Sequence, residues 1–167
     1  MILDCLNKLV IEKYDGYKVY AHNLSNFDSL FMLDILNQHF NINIIRNKGR
    51  IISIKISKTV TDKLLNKDKV IKLTFYDSYQ LLPASLRKLA IAFNTNTQKD
   101  VFPHDFVNKN NLNYNGAVPN MDLFPEGTFS SIQDYGDYCS KFDNWNLRDI
   151  STKYCILDCI SLHQVLE

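Results

Sequence analysis

Tyr17-Lys-Val-Tyr-Ala21 runs into His22-Asn23-Leu24-Ser25-Asn26-Phe27-Asp28 and then into Ser29–Phe40, SLFMLDILNQHF. The first five residues alternate and are rich in β-branched and aromatic types, the pattern of a strand. The next seven are mostly polar and include several helix-capping types. The last twelve carry Leu30, Leu33, Ile35 and Leu36 at the spacing of one helical face. A strand handing over to a helix across a short polar loop is a unit of layered folds that combine the two. The end of such a strand is where open sheets place functional groups.

Upstream of this unit, Ile2, Leu6, Leu9, Val10 and Tyr14 recur at helical spacing, and Asp15-Gly16 closes the run. This predicts an amphipathic helix with a stop. Downstream, NINIIR (41–46) and RIISIKIS (50–57) predict two strands about an Asn47-Lys48-Gly49 turn. Residues 60–68 read as a polar, helix-like connection, and VIKLTFY (70–76) as another strand. Pro83 opens a predicted helix with Leu86, Leu89, Ala90 and Phe93 on one side. Residues 94–130 hold Pro103, Pro119 and Pro125 among Asn/Thr clusters and show no sustained period. They read as a loop-rich insertion. Asn144–Asp149 leads into a last helix over 150–166, with Tyr154, Leu157, Ile160 and Leu166 among its apolar or aromatic positions. The order of elements predicts an α/β or α+β layer fold.

A length of 167 residues fits one domain or most of one, and 46% hydrophobic against 22% charged residues is enough to bury a core. A net charge of +1 excludes a strongly basic nucleic-acid arm and a polybasic membrane anchor, but leaves room for a local basic groove. No apolar run approaches the roughly 18 residues of a membrane span. The opening MILDCLNKLVIEKYDG has charges within its apolar positions and no small-residue cleavage site, so it does not read as a signal peptide. Cys5, Cys139, Cys155 and Cys159 form no CxxC pair and no Cys/His zinc spacing, so reduced thiols are expected. His22, His39, His104 and His163 are scattered; His22, beside Asn23, is a weak candidate for touching a bound strand. The abundance of Asn, Lys and Ile fits an A/T-rich coding source.

Two carboxylates stand out. Asp28 follows a strand end and opens a helix. Asp158 closes Tyr154-Cys-Ile-Leu-Asp158, where positions four apart share a helix face, so that a phenol and a carboxylate address one site. Such a pair suits a metal-bound water: the carboxylate holds a hard cation and the phenol orients the nucleophile. Asp28 also reads as a simple cap or dipole partner, and Tyr154 as a core residue.

Taken together, these segments resemble the proofreading exonuclease region of family B DNA polymerases, of the protein-primed type found in bacteriophages and mitochondrial linear plasmids. Asn23-Leu-Ser-Asn-Phe27-Asp28 is similar to the second exonuclease motif and Tyr154-Cys-Ile-Leu-Asp158 to the third. Between them, Phe75-Tyr-Asp-Ser-Tyr-Gln-Leu-Leu-Pro-Ala-Ser-Leu-Arg-Lys-Leu-Ala resembles the segment lining the single-strand channel. Lys99-Asp-Val-Phe102-Pro-His-Asp-Phe and Asn111-Leu-Asn-Tyr-Asn-Gly resemble stretches of organellar members. The resemblance covers nearly the whole chain.

It implies an RNase H-like 3′-5′ exonuclease fold, a mixed sheet flanked by helices, with its N-terminal strands missing. It implies two Mg²⁺ ions, with Asp28 and Asp158 as metal ligands and Tyr154 positioning the attacking water. Asn23, Phe27 and Phe31 would bind the 3′ end of single-stranded DNA. Phe27 and Phe31 alternatively read as core, being four apart. Ser78 would be a further strand ligand, although Tyr79 stands where the family more often has Leu. Lys99 would pair with a phosphate near the scissile bond.

The family's first exonuclease motif, Asp-x-Glu, occurs nowhere in the sequence; Asp4-Cys5-Leu6 has an apolar residue at the Glu position. Polymerase motifs are absent too. Asp77-Ser-Tyr-Gln-Leu-Leu-Pro shares some letters with one of them but reads as a strand end feeding the next helix. Residues 1–167 are therefore expected to be a partial exonuclease domain, with little or no activity alone. The remainder of the polymerase chain or a complementing fragment is an expected partner, as is a terminal protein; no membrane is. The best match implies a mitochondrial location for an organelle- or plasmid-encoded product. Two rival readings are a non-catalytic single-strand-binding remnant and an unrelated structural α/β protein.

Overall fold

Residues 2–62, 67–96 and 101–167 are described by the computed structural model. The chain divides into two compact units, residues 1–85 and 86–167.

The first unit is built on a four-stranded mixed sheet. Its strands are β1 (Lys18–Ala21), β2 (Asn41–Asn47), β3 (Arg50–Asp62) and β4 (Lys67–Asp77), in the order β1-β4-β3-β2. β1 runs parallel to β4, and the other two pairings are antiparallel. β2 and β3 turn at Lys48 and Gly49, which take φ of 48° and 79°. A two-residue turn with both φ values positive matches the right-handed twist of the strands it joins, and glycine accepts that conformation without strain.

Inward positions follow the period of two. Ile71, Leu73 and Phe75 of β4 and Ile54 and Ile56 of β3 are all buried. The register between β2 and β3 slips next to Ile45 and Arg46, leaving Ile52 as an extra residue. One extra residue inverts the parity, so Ile51 joins Ile54 and Ile56 in the core despite its odd number. Helices α1 (Ile2–Leu9) and α2 (Asp28–His39) complete this core with Leu6 and Leu36, together with Val10, Leu24 and Phe40 from the adjoining chain.

Several expectations are corrected here. The first helix stops at Leu9, and a short 3₁₀ turn, Glu12–Tyr14, follows. Val10 and Ile11 are both β-branched and Ile11 is extended, while Gly16 donates to Lys72 O (2.8 Å) and Asp15 accepts from Lys72 N (2.9 Å), tying the segment to β4. The connection at 60–68 is not helical: Val60, Thr61 and Asp62 pair with Lys69, Asp68 and Lys67 as strands, and residues 63–66 lie outside those described. The β-branched run Thr59-Val60-Thr61 favours this, and the Thr61 hydroxyl donates to Asp68 at 2.7 Å. Leu30, assigned to a core face, is 70% exposed.

In the second unit, α3 (Leu86–Ala92) buries Leu89 and Ala90. It begins three residues after Pro83, and Phe93 lies exposed beyond its end. Two-residue strands β5 (Asn115–Gly116) and β6 (Trp145–Asn146) pair antiparallel, and α4 (Ile132–Cys139) precedes α5 (Leu147–Leu166). Asn146 caps α5 by accepting from Arg148 N (3.0 Å) and Asp149 N (3.2 Å), so the helix starts three residues earlier than its periodicity suggests.

Aromatic rings hold this unit. Trp145 is fully buried, with Phe106 and Tyr114 at ring-centroid distances of 5.9 and 6.0 Å, and its indole N–H points to the Tyr138 hydroxyl at 3.4 Å. Phe124 packs edge-on against Phe129 and Tyr138 at 5.2 and 5.8 Å. Each large ring buries an area worth several ordinary contacts, which lets a segment poor in regular structure stay ordered.

Candidate functional site

In the first unit, the loop from His22 to Phe27 sits between the end of β1 and the start of α2. Leu24 anchors it by complete burial. Asn23 has φ of 64°, a conformation that asparagine tolerates, and its side-chain oxygen accepts from Asn26 Nδ2 at 2.8 Å. Ser25 binds on both sides. Its backbone N–H donates to Asp77 Oδ2 (3.0 Å), and its Oγ accepts from Ile51 N (2.9 Å).

Asp77 is the residue that sequence reading missed. Its carboxylate is 2% exposed and also accepts from Tyr79 N at 3.0 Å, so one buried group clamps the β1–α2 loop and the turn after β4. Burying a carboxylate without such donors would be costly. The signal was available: inward positions 71, 73 and 75 extrapolate to 77.

Phe27, not Asp28, is the N-cap residue of α2, and no side chain caps the helix. Asp28 lies exposed in the first turn, and its carboxylate accepts no hydrogen bond among the described residues. The dipole reading of Asp28 survives; the capping one does not. Phe27 and Phe31 are 61% and 70% exposed, which corrects their alternative assignment to the core. With Leu30 they form an apolar strip at positions i, i+3 and i+4.

Ser78 is 1% exposed, and its Oγ faces His22 Nδ1 at 3.0 Å and Ala21 O at 3.3 Å. His22 Nε2 lies 2.9 Å from the Ala84 carbonyl. A carbonyl only accepts, so Nε2 carries the proton, and the single Ser78 hydroxyl proton is shared between His22 Nδ1 and the Ala21 carbonyl. His22 thus joins the end of β1 to the segment after β4, and both its nitrogens are engaged.

In the second unit, Tyr154 and Asp158 stand one turn apart on α5. Burial first, then the negative charge of Asp158 and hydrogen bonding to it, hold the Tyr154 phenol well above the ordinary tyrosine pKa. The ring is wedged by Phe102 at 4.9 Å and by His104, edge-on, at 5.7 Å. Burial also pushes the neighbouring Cys159 thiol up. All four cysteines are free thiols. Lys99 lies outside the described residues.

The arrangement therefore consists of an exposed acid beside exposed aromatic rings in one unit and a half-buried phenol one helical turn from an acid in the other. Among the described residues, no group of three or more His, Cys, Asp or Glu side chains gathers to hold a metal.

A mixed α/β chain with these motifs belongs to a defined class. The profile described as DNA polymerase type B, organellar and viral, matches residues 9–167, and the chain is a member of that family. A probable DNA polymerase of Neurospora intermedia is 37% identical over 171 residues, covering 99% of this chain and 17% of that protein. One of Ascobolus immersus is 40% identical over 157 residues, covering 90% of this chain and 13% of that protein. The chain thus spans about a sixth or less of the length of these relatives. Among solved structures, Phi29 DNA polymerase complexed with single-stranded DNA is similar with a TM-score of 0.44 and 22% identity, covering 80% of this chain and 22% of that one.

Proposed function

We propose that this chain is part of the RNase H-like 3′-5′ proofreading exonuclease region of a family B, protein-primed DNA polymerase. The observation that carries this reading is the Tyr154–Asp158 pair one turn apart on α5, which puts a neutral phenol beside a carboxylate in a chain of this family. Asp28 and Asp158 are hard oxygen donors of the kind Mg²⁺ prefers, and Asp28 has no other side-chain engagement among the described residues. They fit as part of a two-ion ligand set, with the Asp-x-Glu pair of the family supplying the rest. Bound there, two cations would stabilise the attacking and leaving oxygens of a phosphodiester.

The chain's own residues do the remaining work. Tyr154 stays protonated and offers a hydroxyl that Asp158 orients toward the nucleophile. Phe27 and Phe31 stack on terminal bases without reading sequence, as a proofreader requires. Asn23, held in its left-handed conformation, presents its amide to the strand. Lys99 pairs with a phosphate as a point charge. Ser78 acts from beneath, through His22, unless a strand displaces that ring. The remainder of the polymerase and a terminal protein are the expected partners, in a mitochondrial setting.

Fluorescence anisotropy with a labelled single-stranded oligonucleotide tests the strand-binding half. Phe27→Ala and Phe31→Ala should each weaken binding by about 5- to 100-fold, the equivalent of about 1–3 kcal/mol of stacking. Both should leave the melting transition nearly unchanged, since the rings are exposed. Unaltered affinity in both variants would refute the reading. Incubation with Mg²⁺ should yield little or no ladder from this chain alone. A robust ladder abolished by Asp158→Ala would show that Asp28 and Asp158 suffice without Asp-x-Glu. The rival of a non-catalytic strand-binding remnant predicts binding that is indifferent to Mg²⁺ and to Asp158→Ala.

A further inference from the structure

Beside Tyr154, within the second unit, lies a cavity of about 150 Å³. Arg87 of α3, His104 of the 3₁₀ turn, Thr128 and the Tyr154 ring line it, with Phe102 and Pro125 among its apolar walls. No carboxylate among the described residues lines it. Among the described residues, no acidic side chain pairs with Arg87, and the His104 ring packs edge-on against Phe102 and Tyr154 while its nitrogens make no hydrogen bond. A water molecule occupies roughly 30 Å³ of liquid, so the cavity has room for a tetrahedral anion together with a few waters.

We infer that this cavity is a phosphate-binding site, with Arg87 and His104 as its principal donors. The deduction rests on the exonuclease reading above for its ligand, a backbone phosphate of the single strand, but not for its chemistry. A guanidinium presents two parallel N–H groups that match two phosphate oxygens. An imidazole N–H and the Thr128 hydroxyl supply donors from other directions, which suits a tetrahedral anion better than a planar carboxylate. Tyr154 shapes the wall with its ring, and the anion falls to Arg87 and His104. Arg87 lies in the segment that resembles a strand-channel lining, yet the motif comparison assigned it nothing.

The same chemistry would hold a free phosphate, and the experiment separates the two sources. One arm measures anisotropy of a labelled oligothymidine over a range of salt for the wild-type chain, Arg87→Gln and Arg87→Lys. The other titrates inorganic phosphate while following the His104 ring resonances. We expect Arg87→Gln to weaken strand binding about three- to tenfold and to flatten the slope of log K against log[salt] by about 0.7, the value for one phosphate on a single strand. Arg87→Lys should keep the slope, since it keeps the charge, while losing part of the affinity with the fork. Arg87 is exposed, so the melting transition should not move. Strand binding with unchanged affinity and slope in Arg87→Gln, and no phosphate shift at His104, overturns the cavity assignment and leaves the strand-binding function standing. A phosphate shift that Arg87→Gln abolishes, without any oligonucleotide binding, keeps the cavity as a free-phosphate site and overturns the nuclease reading instead.

Discussion

Tyr154 shows how a helix periodicity becomes a chemical group. Its position four before Asp158 guarantees a shared face, and the structure adds the burial among aromatic rings and the nearby carboxylate that raise the phenol's pKa. Because the folded-state value lies above the unfolded one, this contribution to stability is complete below the ordinary tyrosine pKa of about 10 and is lost as pH rises from there through the folded value. Tyrosinate absorbance should therefore show Tyr154 ionising late among the nine tyrosines. Asp158→Asn should lower its pKa by removing the negative charge, and an unmoved titration would argue against the pair. Tyr135 should also titrate late, pushed up to about 12 by burial and by its neighbour Cys139. The sequence offered Tyr154, Asp158 and Asp28 by motif, but the exposure of Phe27 and Phe31 was undecided, because a four-residue spacing says which side chains are neighbours and not whether anything covers them.

At the next level up, β4 and the loop it clamps are the parts of the fold most open to test. Asp77→Ala should leave the Ser25 and Tyr79 amides without acceptors and cost the first unit about 1–3 kcal/mol in urea unfolding. A loss within experimental scatter would mean that the clamp is incidental. The strands at 17–21, 41–46, 50–57 and 70–76 and the helix at 29–40 could be read beforehand, since each buries one face and so carries a clean period. The extension of β3 through 58–62 and of β4 back to 67 could not, because there the two strands pair with each other and the run of Lys, Asp and Thr looks like a polar helix. Nor could α4, where Gly136 and few apolar positions mute the pattern; its Ser131 cap, accepting from Asp134 N at 3.1 Å, is the stronger cue. In 101–130, order comes from aromatic packing around Trp145 and Phe124, which is non-local and has no period.

For the chain as a whole, family membership rests on a match that runs through both units, over residues 9–167. The proposed function asks more: that Asp28 and Asp158 both serve divalent cations at a DNA 3′ end. Manganese in place of magnesium tests this without requiring turnover. With a single-stranded oligonucleotide bound, Mn²⁺ should broaden the carboxylate carbon resonances of Asp28 and Asp158 together, and Asp28→Asn should reduce the broadening at Asp158. Broadening confined to one of the two carboxylates, or at Asp158 indifferent to the loss of Asp28, would contradict a shared metal site.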